Sequence, residues 1–154
     1  MSEDRAVGAL EASGAIYALT RHGPVGSLAE AAAARRVSPA GIVKTLVVRR
    51  ADDDFLFVLV PGDRSISWPK LRTLLGVQRL SMPDASVARD VTGYERGTIT
   101  PFGSLRPWPV VADERVLGGT VSIGAGAPGV GATLDGDELV AVLDAQVADV
   151  TDPA

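Results

Sequence analysis

The chain has no cysteine, a single histidine (His22) and only two lysines (Lys44 and Lys70) among its 154 residues. Without cysteine, disulfides, thiolate nucleophiles and thiolate metal ligands are all excluded. One histidine rules out a multi-histidine metal centre, and a Ser-His-Asp triad is possible only through His22. Long apolar runs are missing too. The longest, Phe55 to Val60, stops at Pro61-Gly62, far short of the ~20 residues a membrane-spanning helix needs. The opening Met1-Ser2-Glu3-Asp4 is acidic where a signal peptide is basic and then apolar, which sets the expectation of a cytoplasmic protein with no membrane partner. Positive charge is in deficit: 15 basic against 19 acidic residues give a formal charge of −4. Non-specific nucleic-acid affinity comes from neutralising many phosphates, so a general DNA-binding role is not expected and any nucleic acid must be met by a small local patch.

What is present fits a compact fold. Apolar residues make up 46% and mean hydropathy is +0.20, enough for one domain over residues 1–154 with a real core. Ile42 to Arg50 and Phe55 to Val60, separated by Ala51-Asp52-Asp53-Asp54, predict a strand-turn-strand hairpin. Ser27-Leu28-Ala29-Glu30 is a capping box opening an alanine-rich helix to Arg36, and Asp135-Gly136-Asp137-Glu138 repeats the signature for a helix to about Ala145. Further helices are expected over 3–13, from Ser67 to the stop at Gly76, and over Pro83 to Thr92. Further strands are expected at Ile16–Leu19, Val77–Met82, Pro109–Ala112, Gly119–Ile123, Val130–Leu134 and Val147–Val150. Strands that mostly neighbour one another in sequence, with helices irregularly interspersed, predict an α+β fold whose mixed sheet is curved or barrel-like and surrounded by helices.

Two features carry the chemistry. Gly97-Thr98-Ile99-Thr100-Pro101-Phe102-Gly103 places glycines on both sides of a proline, so main-chain N–H groups can approach an oxyanion or phosphate unobstructed; the same pattern also suits an ordinary surface turn. Lys44 lies inside an apolar strand and shares a face with Ile42, Leu46 and Val48. Desolvating its ammonium costs several kcal/mol or more, so it needs a partner. Either it snorkels or pairs with a carboxylate, or it stands in a cleft to hold a substrate phosphate or polarise an ester. His22, beside Gly23-Pro24, reads first as a hydrogen-bonding turn residue. The second glycine-rich loop, Gly124 to Gly129, leads into a strand and so does not match the dinucleotide fingerprint. No metal or cofactor is expected.

Val43-Lys44-Thr45-Leu46-Val47, Val60-Pro61-Gly62-Asp63, Thr92-Gly93-Tyr94 followed by Gly97-x-x-x-Pro101-Phe102-Gly103, Val121-Ser122-Ile123-Gly124 and Val147-Ala148-Asp149-Val150, in that order, resemble the YbaK/prolyl-tRNA-synthetase-associated domain family, from about His22 to Thr151. The resemblance implies a trans-acting aminoacyl-tRNA deacylase. Its substrate would be the acceptor end of a proline tRNA charged with alanine, cysteine or another small amino acid, and prolyl-tRNA synthetase is a candidate partner. Carried over by position, Lys44 is the essential lysine and Gly97 the first glycine of the catalytic loop. His22, Thr45, Thr98, Pro101, Phe102, Gly103, Ser122, Gly124 and Gly126 surround the substrate. The chain departs from branches of the family at Pro128 and Gly131, where others carry a histidine or a polar residue. Two other readings stay open here: a non-catalytic aminoacyl-tRNA or protein binding module of the same fold, and a small nucleotide or phosphometabolite binder.

Overall fold

The computed structural model describes residues 2–154; Met1, inside the expected 1–154 domain, lies outside the described residues. In chain order the elements are α1 (Ser2–Ser13), β1 (Ala18–Arg21), α2 (Leu28–Arg35), β2 (Ile42–Ala51), β3 (Asp54–Pro61), β4 (Arg64–Ile66), α3 (Trp68–Leu75), α4 (Ala85–Thr92), β5 (Val110–Asp113), β6 (Thr120–Gly124), β7 (Val130–Asp135), α5 (Gly136–Val142), β8 (Gln146–Ala148) and β9 (Thr151–Pro153). The fold is α+β. Seven strands form one mixed sheet in the order β1-β7-β6-β2-β3-β5-β8, and β4 pairs separately with β9.

The β2–β3 hairpin is the spine of the sheet. It runs antiparallel from Val43↔Pro61 to Ala51↔Asp54, and Asp53 turns its tip in the left-handed region at φ 53°. Because side chains alternate across a strand, the hairpin supplies both cores. Val43, Val47, Phe55, Phe57 and Leu59 pack on one face with Leu10 of α1, Ala88 of α4 and Leu139 of α5. Val48, Leu56, Val58 and Val60 pack on the other with Leu71 of α3 and Val150. β3 is therefore apolar along nearly its whole length, as a centrally buried strand must be.

On its other side β2 pairs parallel with β6, but only through Ile42↔Ser122 and Val43↔Ile123. The next contact on that edge is the isolated bridge Arg49↔Ser81. Between them, Lys44 to Val48 have no strand neighbour on that side, so the sheet splits open along the edge that carries the lysine. α4 together with Arg96, Gly97 and Ile99 walls the opening.

Local chemistry explains where the expected elements hold and where they shift. Ser27 caps α2 by accepting from the Glu30 N–H at 3.1 Å, and Glu30 Oε2 accepts from the Gly26 N–H at 2.7 Å, a capping box whose return bond reaches one residue before the cap. Gly76 and Gly93 end α3 and α4 in the left-handed conformation, where glycine is unstrained. Val77–Met82 is not a strand. The Val77 N–H is spent on the Arg72 carbonyl in the turn that closes α3, and only Ser81 reaches a strand edge. At α5, Asp135 makes no side-chain cap; Asp137 accepts from the Gly118 N–H and Glu138 from the Ile16 N–H instead. The C-terminal strand divides into β8 and β9, and β1 begins at Ala18 rather than Ile16.

Candidate functional site

A cavity of about 580 Å³ occupies the split, and Lys44, Thr45, Gly97 and Gly124 all line it. Its size matches typical small-molecule sites. Lys44 projects from an otherwise apolar strand face and its Nζ donates to the Arg64 carbonyl at 2.6 Å. Burial pushes the Lys44 pKa below its ordinary value, and Asp63 opposes the shift. Gly97 has φ +89° and open space where a Cβ would project, so its backbone conformation, not crowding, calls for glycine there, and its main chain is exposed to whatever enters the cavity. The Thr45 hydroxyl is buried with no protein partner. An unpaired buried hydroxyl costs about 1–3 kcal/mol, so it is a group that a bound ligand can satisfy.

Other residues singled out in the sequence hold this cavity without lining it. Thr98 is buried, donates its hydroxyl to the Glu95 carbonyl at 2.7 Å and accepts from the Gly126 N–H at 3.1 Å, tying the two glycine loops together. Gly126, at φ +87°, packs so closely on the Ser2 carbonyl that a Cβ would sit 2.7 Å from it. Phe102 is in the core. Its N–H donates to the Thr100 hydroxyl at 3.3 Å, and its carbonyl accepts from the Tyr94 hydroxyl at 2.5 Å. Gly103 lies against α1, where its carbonyl accepts from Arg5 Nε at 3.2 Å. Pro101 borders a different cavity, with Trp108 and Leu143. The second half of the loop is thus bolted to the first helix, and its Gly97 end faces the cavity. Ser122 Oγ is buried without a protein partner. His22 stands behind the cavity wall, where its Nε2 accepts from Arg35 Nε at 3.2 Å.

Sequence reasoning missed three lining residues that set the electrostatics: Arg35, Asp84 and Arg96. Asp84 is occupied as the cap of α4, accepting from the Val87 N–H at 3.0 Å and the Ser86 hydroxyl at 2.8 Å. These bonds hold its carboxyl below the ordinary value. Lys44, Arg35 and Arg96, in contrast, make no ion pair among the described residues. In a chain of net charge −4, three cations against the one Asp84 carboxylate in the lining of this cavity leave a local anion-attracting field. Nothing in the local pattern of Arg35 or Arg96 marks them, because each reaches the cavity through the fold rather than through a motif.

Residues 22–142 match the family model of the aminoacyl-tRNA editing domain. A proline–tRNA ligase of Heliobacterium modesticaldum is 40% identical over 95 residues, covering 61% of this chain and 16% of that ligase. The ligase of Desulfotalea psychrophila is 38% identical over 82 residues, covering 53% of this chain and 14% of its own length. The matched stretch is therefore a small part of those enzymes. Among solved structures, a proposed trans-editing enzyme for prolyl tRNA synthetase superposes with a TM-score of 0.88 at 30% identity, covering 98% of this chain and 97% of that one. No described helix is long and apolar enough to cross a membrane.

Proposed function

The chain belongs to the aminoacyl-tRNA editing domain family, and on that premise we propose that it is a trans-acting hydrolase that deacylates mischarged tRNA, with proline tRNA carrying alanine, cysteine or another small amino acid as its substrate. The observation that carries this reading is that Lys44 and Gly97 line one cavity at the open edge of β2. An aminoacyl ester is already activated, so the protein has to position it and stabilise the oxyanion that forms when oxygen attacks the carbonyl. One well-placed donor is worth roughly 3 kcal/mol in such a step. The Gly97 N–H serves as such a donor, since the Thr98 N–H is committed to the Glu95 carbonyl and the Phe102 N–H to Thr100. Lys44 holds the terminal phosphate or ribose. Water attacks while a second water or a substrate hydroxyl handles its proton, the bond between the carbonyl carbon and the ribose oxygen breaks, that oxygen takes up a proton, and the free amino acid leaves. No protein side chain acts as nucleophile.

The small, mostly apolar walls formed by Val43, Val47, Ala88 and Ile99 suit a short aliphatic side chain. A panel of mischarged tRNAs, each incubated with the purified protein, tests the proposal. Release of alanine or a similarly small amino acid from proline tRNA, with correctly charged tRNA spared, is expected. Protection of every ester would make the protein a binding module, and stabilisation by mononucleotides with indifference to tRNA would make it a nucleotide binder.

A further inference from the structure

Arg35 is the last residue of α2, is half-buried, and lines the cavity without a carboxylate partner. Its side chain is held in place from behind. Nε donates to His22 Nε2 at 3.2 Å, while His22 Nδ1 lies 2.8 Å from the Gly23 carbonyl. For Nε2 to accept, the ring hydrogen sits on Nδ1, an assignment made from this network, and there it donates to Gly23. His22 is itself fixed by its backbone N–H, which donates to the Gly129 carbonyl at 2.9 Å.

The arginine stem lies over Gly131. A Cβ there would come within 2.9 Å of Arg35 Nε, 3.0 Å of its Cδ and 2.9 Å of Ser122 Oγ. Gly131 pairs with Gly124 across β6 and β7, so two facing glycines leave a trough in the sheet, and the stem occupies it. The Nε donor is thereby used, and the two terminal nitrogens of the guanidinium make no hydrogen bond to protein among the described residues. A pre-oriented fork of this kind matches a phosphate in a way that a single ammonium does not. Lys44, already bonded to the Arg64 carbonyl, is the single ammonium.

We propose that Arg35 is the phosphodiester anchor of this cavity: its guanidinium takes the phosphate that joins the terminal nucleotide of the acceptor strand to the preceding one, and Lys44 is left to the ribose and ester. The assignment rests on the deacylase reading of the same cavity. His22 and Gly131 are positioning residues that act through Arg35.

The test compares two substrates: mischarged tRNA, and the corresponding 3′-O-aminoacyl-adenosine with no phosphate. Arg35→Gln is expected to lower kcat/KM on the tRNA by roughly 10- to 100-fold, mostly through KM, as the loss of a charge-assisted contact implies. It is expected to leave the adenosine ester within about twofold of wild type, the scale on which uninvolved contacts vary. Gly131→Ala, whose methyl displaces the stem, is expected to reproduce that pattern, and Arg35→Lys to fall between. Equal losses on both substrates, or no loss on either, would overturn the assignment. An independent arm measures binding of the trinucleotide CCA against salt. The log–log slope for Arg35→Gln should be shallower than wild type by about 0.7, one phosphate's worth for a single strand, and identical slopes would also overturn it. A wild-type protein that releases no amino acid from any tRNA removes the deacylase reading, whereas the slope difference judges the phosphate contact by itself.

Discussion

The two lysines sit in opposite environments. Lys70 lies where the C-terminal strands meet α3, and every charge there is answered. It bonds Asp149 at 3.1 Å and Asp152 at 3.2 Å, and Arg115 reaches both Asp149 and Asp113. The buried Asp113 accepts from the Val150 N–H, the Thr151 hydroxyl and Arg115. Hydrogen bonds donated to Asp149 and Asp152 raise the Lys70 pKa, while burial lowers that of Lys44. At the β2 cleft three cations lack carboxylate partners and the Thr45 hydroxyl lacks any. Polar groups that satisfy one another hold a fold together, and polar groups left unsatisfied in a cavity await a ligand. The network is the structural end of the molecule, and under the proposed function the cleft is the chemical one.

The largest expected effect separates the two lysines directly. Lys44→Ala should cut deacylation by about 10²- to 10³-fold while leaving the urea midpoint at or above wild type. Lys70→Ala should keep the rate and lower the urea midpoint only slightly, because the pair is partly exposed. A folded Lys44→Ala protein with normal turnover would erase the contrast. Next, Asp113→Ala should destabilise by about 3 kcal/mol, since it strands buried donors, with the rate of the folded fraction preserved; an unchanged urea midpoint would show that the network does not hold β9. Gly97→Ala is smaller. Its methyl meets open space, but φ +89° strains any side chain by about 1–2 kcal/mol, so the loop should shift and the rate fall about tenfold, and an unaffected rate would count against an oxyanion role.

The smallest effect is in acid. Arg115 and Lys70 hold the Asp149 carboxyl down at about 2 against the ordinary 3.8. Its folded pKa is depressed, so the stability it contributes is present above about pH 4 and is lost as pH falls through about 2. Asp149→Asn should flatten the stability profile in that window and nowhere else.

Much of this was legible from residues alone. The β2–β3 hairpin announces itself by branched apolar runs around an acidic turn, and Ser27, Gly76 and Gly93 mark helix ends because capping is local chemistry. Lys44 and Gly97 stand out for a related reason: an ammonium in a greasy strand and a glycine-bracketed proline are locally improbable. The strand expected at Val77–Met82 looked right in composition, but pairing is decided by what lies alongside, and only Ser81 meets an edge. β4 and β9 are three-residue strands joined across most of the chain, too short for periodicity to register. The place of Arg35 depends on Gly131 and His22, and although the sequence draws attention to both, nothing in it brings either of them to Arg35. Within the heptapeptide, the glycines share a residue type but not a job: Gly97 opens to the cavity, and Gly103 is pinned against the Arg5 carbonyl.

The most direct measurement is to titrate the protein with a non-hydrolysable, amide-linked 3′-aminoacyl-adenosine and follow its backbone amide resonances. Perturbations concentrated at residues 43–47, 96–99 and 124 are expected if the cleft is the substrate site. Perturbations confined to the other cavity, around Trp108 and Leu143, would contradict it.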